Sequence, residues 1–211
     1  MQGRLSITAS KWLVTRIVGP GLAALVQAHP GLRIDLLASA RWANLARGEA
    51  DIALRPAAFQ QQAAFQRELA RVGYALYAGR EYLRSRGRPV FTRGCAGHLL
   101  VTMDEEVPTA DAPWLREMAG EAQLVARTKG REGLAAMASA GLGLACLPRF
   151  IGDATPGLER LDPPVPAPER RLWLGVHRDV RNLPRVRAAI AHLTELFRNA
   201  HPALLGERPR S

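Results

Sequence analysis

Cysteine is scarce in this chain: Cys95 and Cys146 are the only two among 211 residues. They lie far apart, with no second pair and no clustered histidines, so a disulfide framework and metal-ligand spacing are not expected, and both read as reduced core residues. Long apolar runs are missing as well. The longest uncharged apolar stretch, Gly133 to Pro148, is rich in Gly, Ala and Ser, sits between Glu132 and Arg149, and is too short to span a bilayer. The opening Met1-Gln2-Gly3-Arg4-Leu5-Ser6 lacks the apolar core and small-residue cleavage site of a secretory signal. Both absences lead to the expectation of a cytoplasmic chain with no membrane span.

Catalytic signatures are absent too. The five histidines, His29, His98, His177, His192 and His201, stand in unrelated contexts, and there is no Gly-x-Ser-x-Gly elbow or Gly-rich phosphate loop. Asp104-Glu105-Glu106 is an acidic run, but consecutive carboxylates do not face one another, so a solvated loop is the reading. Gly141-x-Gly143 lacks the third glycine and the helix of a dinucleotide motif; it reads as a helix stop entering a strand. No catalytic residue, metal or cofactor is expected, and the chain is not read as an enzyme. Lysine is confined to Lys11 and Lys129, so the formal charge of +10 comes from arginines spread through every segment. No basic run alternates with aromatics as a single-strand platform would, which favours composition bias over a dedicated phosphate-binding face. The basic surface can still assist an attached DNA-binding domain or draw anions toward a cleft.

What is present describes an α/β protein. At 47% hydrophobic residues the chain can bury one full core, or two small lobes sharing a cleft. Leu5, Ile7 and Ala9 alternate as a strand, Ser10 stands where a helix cap belongs, and a helix follows to His29, interrupted or kinked at Gly19-Pro20-Gly21. Pro30 ends it, and His29 reads as its C-cap. A strand over 33–38, a short helix over 42–47 and a buried strand over 51–54 complete two βα units. Residues 55–66 read as a surface excursion before one long strand, Leu69 to Tyr77. A second series follows: a helical fragment over 81–87, strands over 98–102 and 123–125, a helix from near Arg131 to Gly141, and a buried strand over 142–147. The strand Arg171 to His177 mirrors Leu69 to Ala78 as a second crossing between lobes. The helix from Pro184 to Arg198, with Val186, Ile190, Leu193 and Phe197 on one face, is placed back on the first lobe. Gly206 to Ser211 reads as a disordered tail.

Several phrases together resemble one family. His29-Pro30-Gly31-Leu32-Arg33-Ile34-Asp35-Leu36, the run Leu45 to Arg55, Leu76-Tyr77-Ala78 with Tyr82-Leu83, Ala140 to Pro148, and Leu172-Trp173-Leu174 with His177 are similar in order to the effector-binding domain of LysR-type transcriptional regulators. The resemblance runs from Gly3 to Phe197. It implies a type 2 periplasmic-binding-protein-like α/β fold, with two lobes joined by two crossing strands and a ligand cleft between them. Lobe I is expected over 1–76 plus 178–211, and lobe II over 77–177. It further implies a small-molecule effector-sensing domain that controls transcription, a homodimer or tetramer, and DNA contact only through a helix-turn-helix domain absent from this chain. The alternative is a free-standing solute-binding protein of the same fold, disfavoured by the missing signal peptide.

Ligands of open α/β proteins bind outside the carboxyl ends of the strands, where helix N-termini offer unpaired backbone donors and partial positive charge. That rule selects Thr8 and Ser10 after the first strand, Ser39 after the second, and Thr128 before the helix at Arg131. Ser10 and Ser39 also match family positions that carry a small hydroxyl residue. Plain N-capping is the competing use of these hydroxyls. Arg55, directly after a buried strand, could clamp an anion, or be an exposed charge or an inter-lobe ion pair. Thr102 is a further ligand-binding candidate. With few acidic residues nearby, the expected effector is a small anion, foremost a carboxylate.

Overall fold

The computed structural model describes residues 2–39, 45, 48–59, 64–105, 109 and 111–207. Along the chain run β1 (Gln2–Ala9), α1 (Lys11–Leu13), a π-helical turn (Val14–Val18), α2 (Gly19–Ala28), β2 (Gly31–Ala38), β3 (Ile52–Arg55), β4 (Ala64–Val72), β5 (Tyr74–Gly79) and α3 (Arg80–Arg86). After a 3-10 turn (Phe91–Arg93) come β6 (Leu99–Met103), α4 (Asp111–Ala119), β7 (Gln123–Thr128), α5 (Arg131–Ser139), β8 (Ala145–Pro148), α6 (Arg149–Gly152), β9 (Leu158–Leu161), β10 (Arg170–His177), α7 (Pro184–Asn199) and α8 (His201–Leu205). No described helix is long and apolar enough to cross a membrane.

Two compact units emerge: Met1–Arg71 with Arg171–His201, and Val72–Arg170 with Pro202–Ser211. These bounds differ from the expected lobes, 1–76 plus 178–211 and 77–177, at both crossings and at the C-terminus. The reason at the first crossing is Gly73. Its N–H donates to the Leu204 carbonyl at 2.9 Å and its own carbonyl accepts from Arg149 at 2.8 Å, so it leaves the sheet ladder. The single strand expected over Leu69 to Tyr77 is therefore two strands, β4 and β5, in different sheets. At the C-terminus, Arg149 Nη1 and Arg160 Nη1 donate to the carbonyls of Leu205 and Gly206, tying that end to the second unit. Gly206 and Glu207 thus have fixed partners where a disordered tail was expected, and 208–211 lie outside the described residues.

The first unit is a five-stranded sheet in the order β2-β1-β3-β10-β4. β1 runs parallel to β2 from Gln2↔Gly31 to Ala9↔Ala38, and parallel to β3 from Ile7↔Ile52 to Ala9↔Leu54. β10 is antiparallel to β3. The continuous apolar run Ile52-Ala53-Leu54 suits a central strand covered on both faces, and all of β3 is buried. Val186, Ala189, Leu193 and Phe197 recur at helical spacing on α7 and are fully buried. The expected break at Gly19-Pro20-Gly21 is instead a change of pitch: the chain stays helical through the π turn, and Pro20, which has no N–H to give to the preceding turn, stands just where the π turn passes into α2. A Cβ on Gly19 would stand 2.7 Å from the Val14 carbonyl, so only glycine admits that turn. His29 caps α2 with its N–H on the Val26 carbonyl. The helix expected over 42–47 lies outside the described residues except for Leu45, which is fully buried. The expected excursion over 55–66 is anchored at Phe59, whose backbone N–H and C=O both bond the Gln66 side chain.

The second unit repeats this order with an unrelated sequence. β6 is parallel to β7, from Leu99↔Gln123 to Met103↔Thr128. A parallel bridge joins Leu100 to Leu144, carried by Val101 N–H on the Leu144 carbonyl at 2.9 Å and Leu144 N–H on the Leu99 carbonyl at 2.8 Å. β8 then pairs antiparallel with β5, and β5 with β9. The succession β7-β6-β8-β5-β9 matches β2-β1-β3-β10-β4 strand for strand. The buried strand expected over 142–147 starts later, at Ala145, because Gly141 (φ +84°) reverses the chain after α5 and Gly143 passes against the neighbouring strand. α4, α6, α8 and β9 were not foreseen.

Gly143 is the close-approach point on which the bridge depends: a Cβ there would stand 2.5 Å from the Leu99 carbonyl oxygen. Gly143→Ala is expected to lower stability by about 1–3 kcal/mol, read as a lower denaturation midpoint in urea at unchanged slope.

Candidate functional site

The C-terminal ends of β1, β2 and β3 form one edge of the first unit, because the three strands are parallel and in register. Four expected site residues gather there. Ser39 donates its N–H to the Ala9 carbonyl at 3.0 Å, holding the end of β2 against the end of β1. Ser10 opens the helical run; its carbonyl accepts from Leu13 and Val14, while its hydroxyl makes no capping bond. Plain capping is thus not the use to which the Ser10 hydroxyl is put. Both serines are partly exposed.

Thr8 and Arg55 meet behind this edge. Arg55 Nη2 donates to Thr8 Oγ1 at 2.9 Å and Nη1 to the Leu54 carbonyl at 3.0 Å, and each residue is only 2% exposed. Arg55 is therefore a buried cation and not an exposed charge. Burial lowers its pKa to about 10, which leaves it charged at neutral pH. Its strand β3 fixes it: Arg55 pairs with Trp173 across the antiparallel ladder.

Thr102 and Thr128 sit on adjacent strands of the second unit. Thr102 pairs with Arg127 and Thr128 with Met103. The Thr128 carbonyl accepts from Asp104 at 2.9 Å, and its hydroxyl lies 3.4 Å from the Gly130 N–H at the start of α5. Both stand at the C-terminal edge of parallel strands, the place equivalent to that of Ser10 and Ser39 in the first unit.

The second unit also holds a polar cluster that the sequence reading missed. Arg131, the first residue of α5, is 4% exposed and donates from Nη2 to Asp111 Oδ1 at 2.6 Å and from Nη1 to Asp111 Oδ2 at 3.0 Å. Nη1 also reaches the Cys146 carbonyl at 3.0 Å, and the guanidinium lies 5.1 Å from the Tyr74 ring centroid. Desolvation pulls this guanidinium down, but Tyr74 and the Asp111 carboxylate outweigh it and hold Arg131 above the ordinary arginine range. One signal was available: a helix N-terminus disfavours a cation, so an arginine at the first position of α5 needs a compensating partner. Nothing in the twenty-residue spacing names Asp111 as that partner.

Elsewhere Tyr82 and His98 form a buried pair at 3.2 Å, with Tyr82 also accepting from the Leu99 N–H at 2.8 Å. Burial lowers the His98 pKa, Arg86 adding to the effect and a backbone hydrogen bond at Arg88 opposing it. Both cysteines are buried and free. Burial pushes the Cys95 thiol up to about 11 and the Cys146 thiol well above its usual value, so neither is a reactive thiolate. Among the described residues no group of His, Cys, Asp and Glu could hold a metal ion.

Two α/β units that share one strand order, each with helices following its parallel strands, define a type 2 periplasmic-binding-protein-like fold. The family described as LysR substrate binding domain matches residues 1–198, and the chain belongs to it. That is a family of ligand-sensing regulatory domains. Among curated proteins the chain is 27% identical over 156 residues to the HTH-type transcriptional regulator CrgA of Neisseria meningitidis serogroup B, covering 72% of this chain and 52% of that protein. The chain thus spans about half the length of the curated relatives it matches. The CrgA regulatory domain of Neisseria meningitidis superposes with a TM-score of 0.78 at 23% identity, over 92% of this chain and 98% of that one. Full-length AphB of Vibrio cholerae gives 0.69 at 20% identity, over 92% of this chain and 68% of that one. At those identities the structures establish likeness of fold.

Asp111→Asn leaves the buried Arg131 cation uncompensated and is expected to cost about 3–5 kcal/mol in chemical denaturation, whereas the joint replacement Asp111→Leu with Arg131→Met costs far less. A second expectation concerns pH. With its pKa lower in the folded than in the unfolded state, His98 favours folding above the unfolded value of about 6.5, and that contribution is lost as pH falls below it. Thermal unfolding followed across that window should show a shallower acid-side decline for His98→Gln than for the unaltered chain; parallel curves would assign the decline to other groups.

Proposed function

We propose that this chain is the effector-sensing domain of a LysR-type transcriptional regulator and that its effector is a small anion, foremost a carboxylate, docked at the C-terminal edge of the first unit. The buried Arg55 guanidinium carries this reading. A cation held at 2% exposure by Thr8 and the Leu54 carbonyl supplies charge at that edge, and the partly exposed Ser10 and Ser39 supply hydroxyls. Thr102 and Thr128 are the second unit's own candidates for ligand binding, at the C-terminal edge of its parallel strands. Binding is proposed as the whole of the chemistry, with neither cofactor nor metal.

Control of transcription would run through a helix-turn-helix domain of the kind that the Neisseria relatives' name states, with the effector biasing two arrangements by its different affinity for each. A cytoplasmic location goes with this role. Assembly as a homodimer or tetramer would set the helical run from Lys11 to His29 of one subunit against the helix from Arg131 to Ala140 of the other. Exposed apolar side chains support such an interface: Val26 on α2, and Leu124 and Val125 on the edge strand β7.

A thermal-shift screen of organic acids against neutral and cationic metabolites tests the ligand class. A matching acid at about one hundred times its Kd should stabilise the fold by about 2.7 kcal/mol. Ser10→Phe should remove that shift while leaving the circular dichroism spectrum unchanged, because it fills the edge without opening a core cavity. Stabilisation by cationic or neutral compounds alone, or an acid effect that survives Ser10→Phe, refutes the placement.

A further inference from the structure

A shallow, open charged cavity lies within the first unit, lined from α7 and β4. It has a volume of about 440 Å³ and is lined by Arg67, Arg187, Ile190, Ala191, Thr194 and Arg198. The lining has a simple origin. α7 buries one stripe, Val186, Ala189, Leu193 and Phe197, so Arg187, Ala191, Thr194 and Arg198, spaced four, three and four apart, fall together on the other side. Arg67 projects from β4, the edge strand of the sheet, to meet them.

Three guanidinium groups line this space, one of them, Arg198, paired with Glu195, and among the described residues no carboxylate is part of the lining itself. Glu68, next to Arg67 on β4, is engaged by Arg71 at 3.4 Å and Arg171 at 3.6 Å, and Glu195 is engaged by Arg198. Arg67 Nη2 donates to Thr194 Oγ1, whose hydroxyl donates in turn to the Ile190 carbonyl at 2.5 Å. That chain fixes the Arg67 head, yet its Nε is buried with no hydrogen-bond partner. A buried donor on a cation that lacks an acceptor is the kind of group a ligand satisfies.

We propose that this cavity binds a small phosphomonoester, at a site separate from the carboxylate edge. A phosphomonoester is close to doubly negative at neutral pH and presents three acceptor oxygens, one for each guanidinium, whereas a carboxylate offers one charge and two oxygens. The half-apolar floor of Ile190 and Ala191 seats the organic part. The volume falls in the range of small-molecule sites, about 300–1,000 Å³.

The test is calorimetric titration at low ionic strength with glycerol 3-phosphate, with acetate and a short mixed-sequence DNA duplex as comparisons. Glycerol 3-phosphate is expected to bind saturably with one equivalent per chain and more tightly than acetate, and to shift the Arg67 Nε–H resonance in nitrogen-proton correlation spectra. Arg187→Ala and Arg198→Ala should each weaken it by about tenfold or more. Both side chains are exposed, so the melting temperature without ligand should stay as it was, separating lost binding from lost fold. Phosphate affinity equal to that of acetate, unchanged affinity in the two variants, or binding to duplex with none to glycerol 3-phosphate would each overturn the proposal.

Discussion

The bidentate pair between Arg131 and Asp111 is the constraint around which the second unit is arranged. It joins the first residues of α4 and α5 to each other, and through the Cys146 carbonyl and the Tyr74 ring it joins both helices to the two central strands of that unit. Geometry makes this more than an attraction of charges. Two parallel N–H to oxygen bonds fix the relative orientation of two planar groups, and a third bond removes a further donor from consideration. An apolar substitute of equal volume could match the stability, but it would not specify which helix start faces which.

Arg55 offers the contrast. Among the described residues these two are the buried arginines, yet burial brings Arg55 down to about 10 while Asp111 and Tyr74 keep Arg131 up. The same desolvation acts on both; at Arg131 the neighbouring Tyr74 and Asp111 outweigh it, and at Arg55 it prevails. A guanidinium whose environment penalises its charge gains most from an arriving anion, and one already matched to a carboxylate gains least.

Strand and helix periodicity was legible where one element answers to one apolar stripe. β1, β3, α5 and α7 were all expected within a few residues of where they lie, because alternation or 3.6-residue spacing is written directly into Leu5-Ile7-Ala9 and Val186-Leu193-Phe197. What failed depended on distant partners. Gly73 ends a strand because Leu204 and Arg149 take its backbone groups, and no local pattern contains either residue. α4 went unseen since its start, Asp111, owes its burial to Arg131 twenty positions on. At the candidate edge, the row Ser10, Ser39, Arg55 was readable from strand ends alone. The burial of Thr8 beneath Arg55 was not, because it needs the register of β1 against β3.

The arginine-rich composition has a structural reading of the same kind. Several exposed arginines sit beside acidic residues: Arg4 with Asp35, Arg84 with Glu81, Arg88 with Glu159, and Arg127 with Glu105. Such surface pairs contribute little to stability, since solvent screens them and holding two long side chains costs entropy. Their effect is to cancel local field, so that a formal charge of +10 spread over the whole chain does not make every face equally attractive to anions. Under the proposed binding roles, selectivity would rest on the guanidinium groups that such pairs leave uncancelled. The field of such a chain is shaped by where its acids are as much as by where its arginines are.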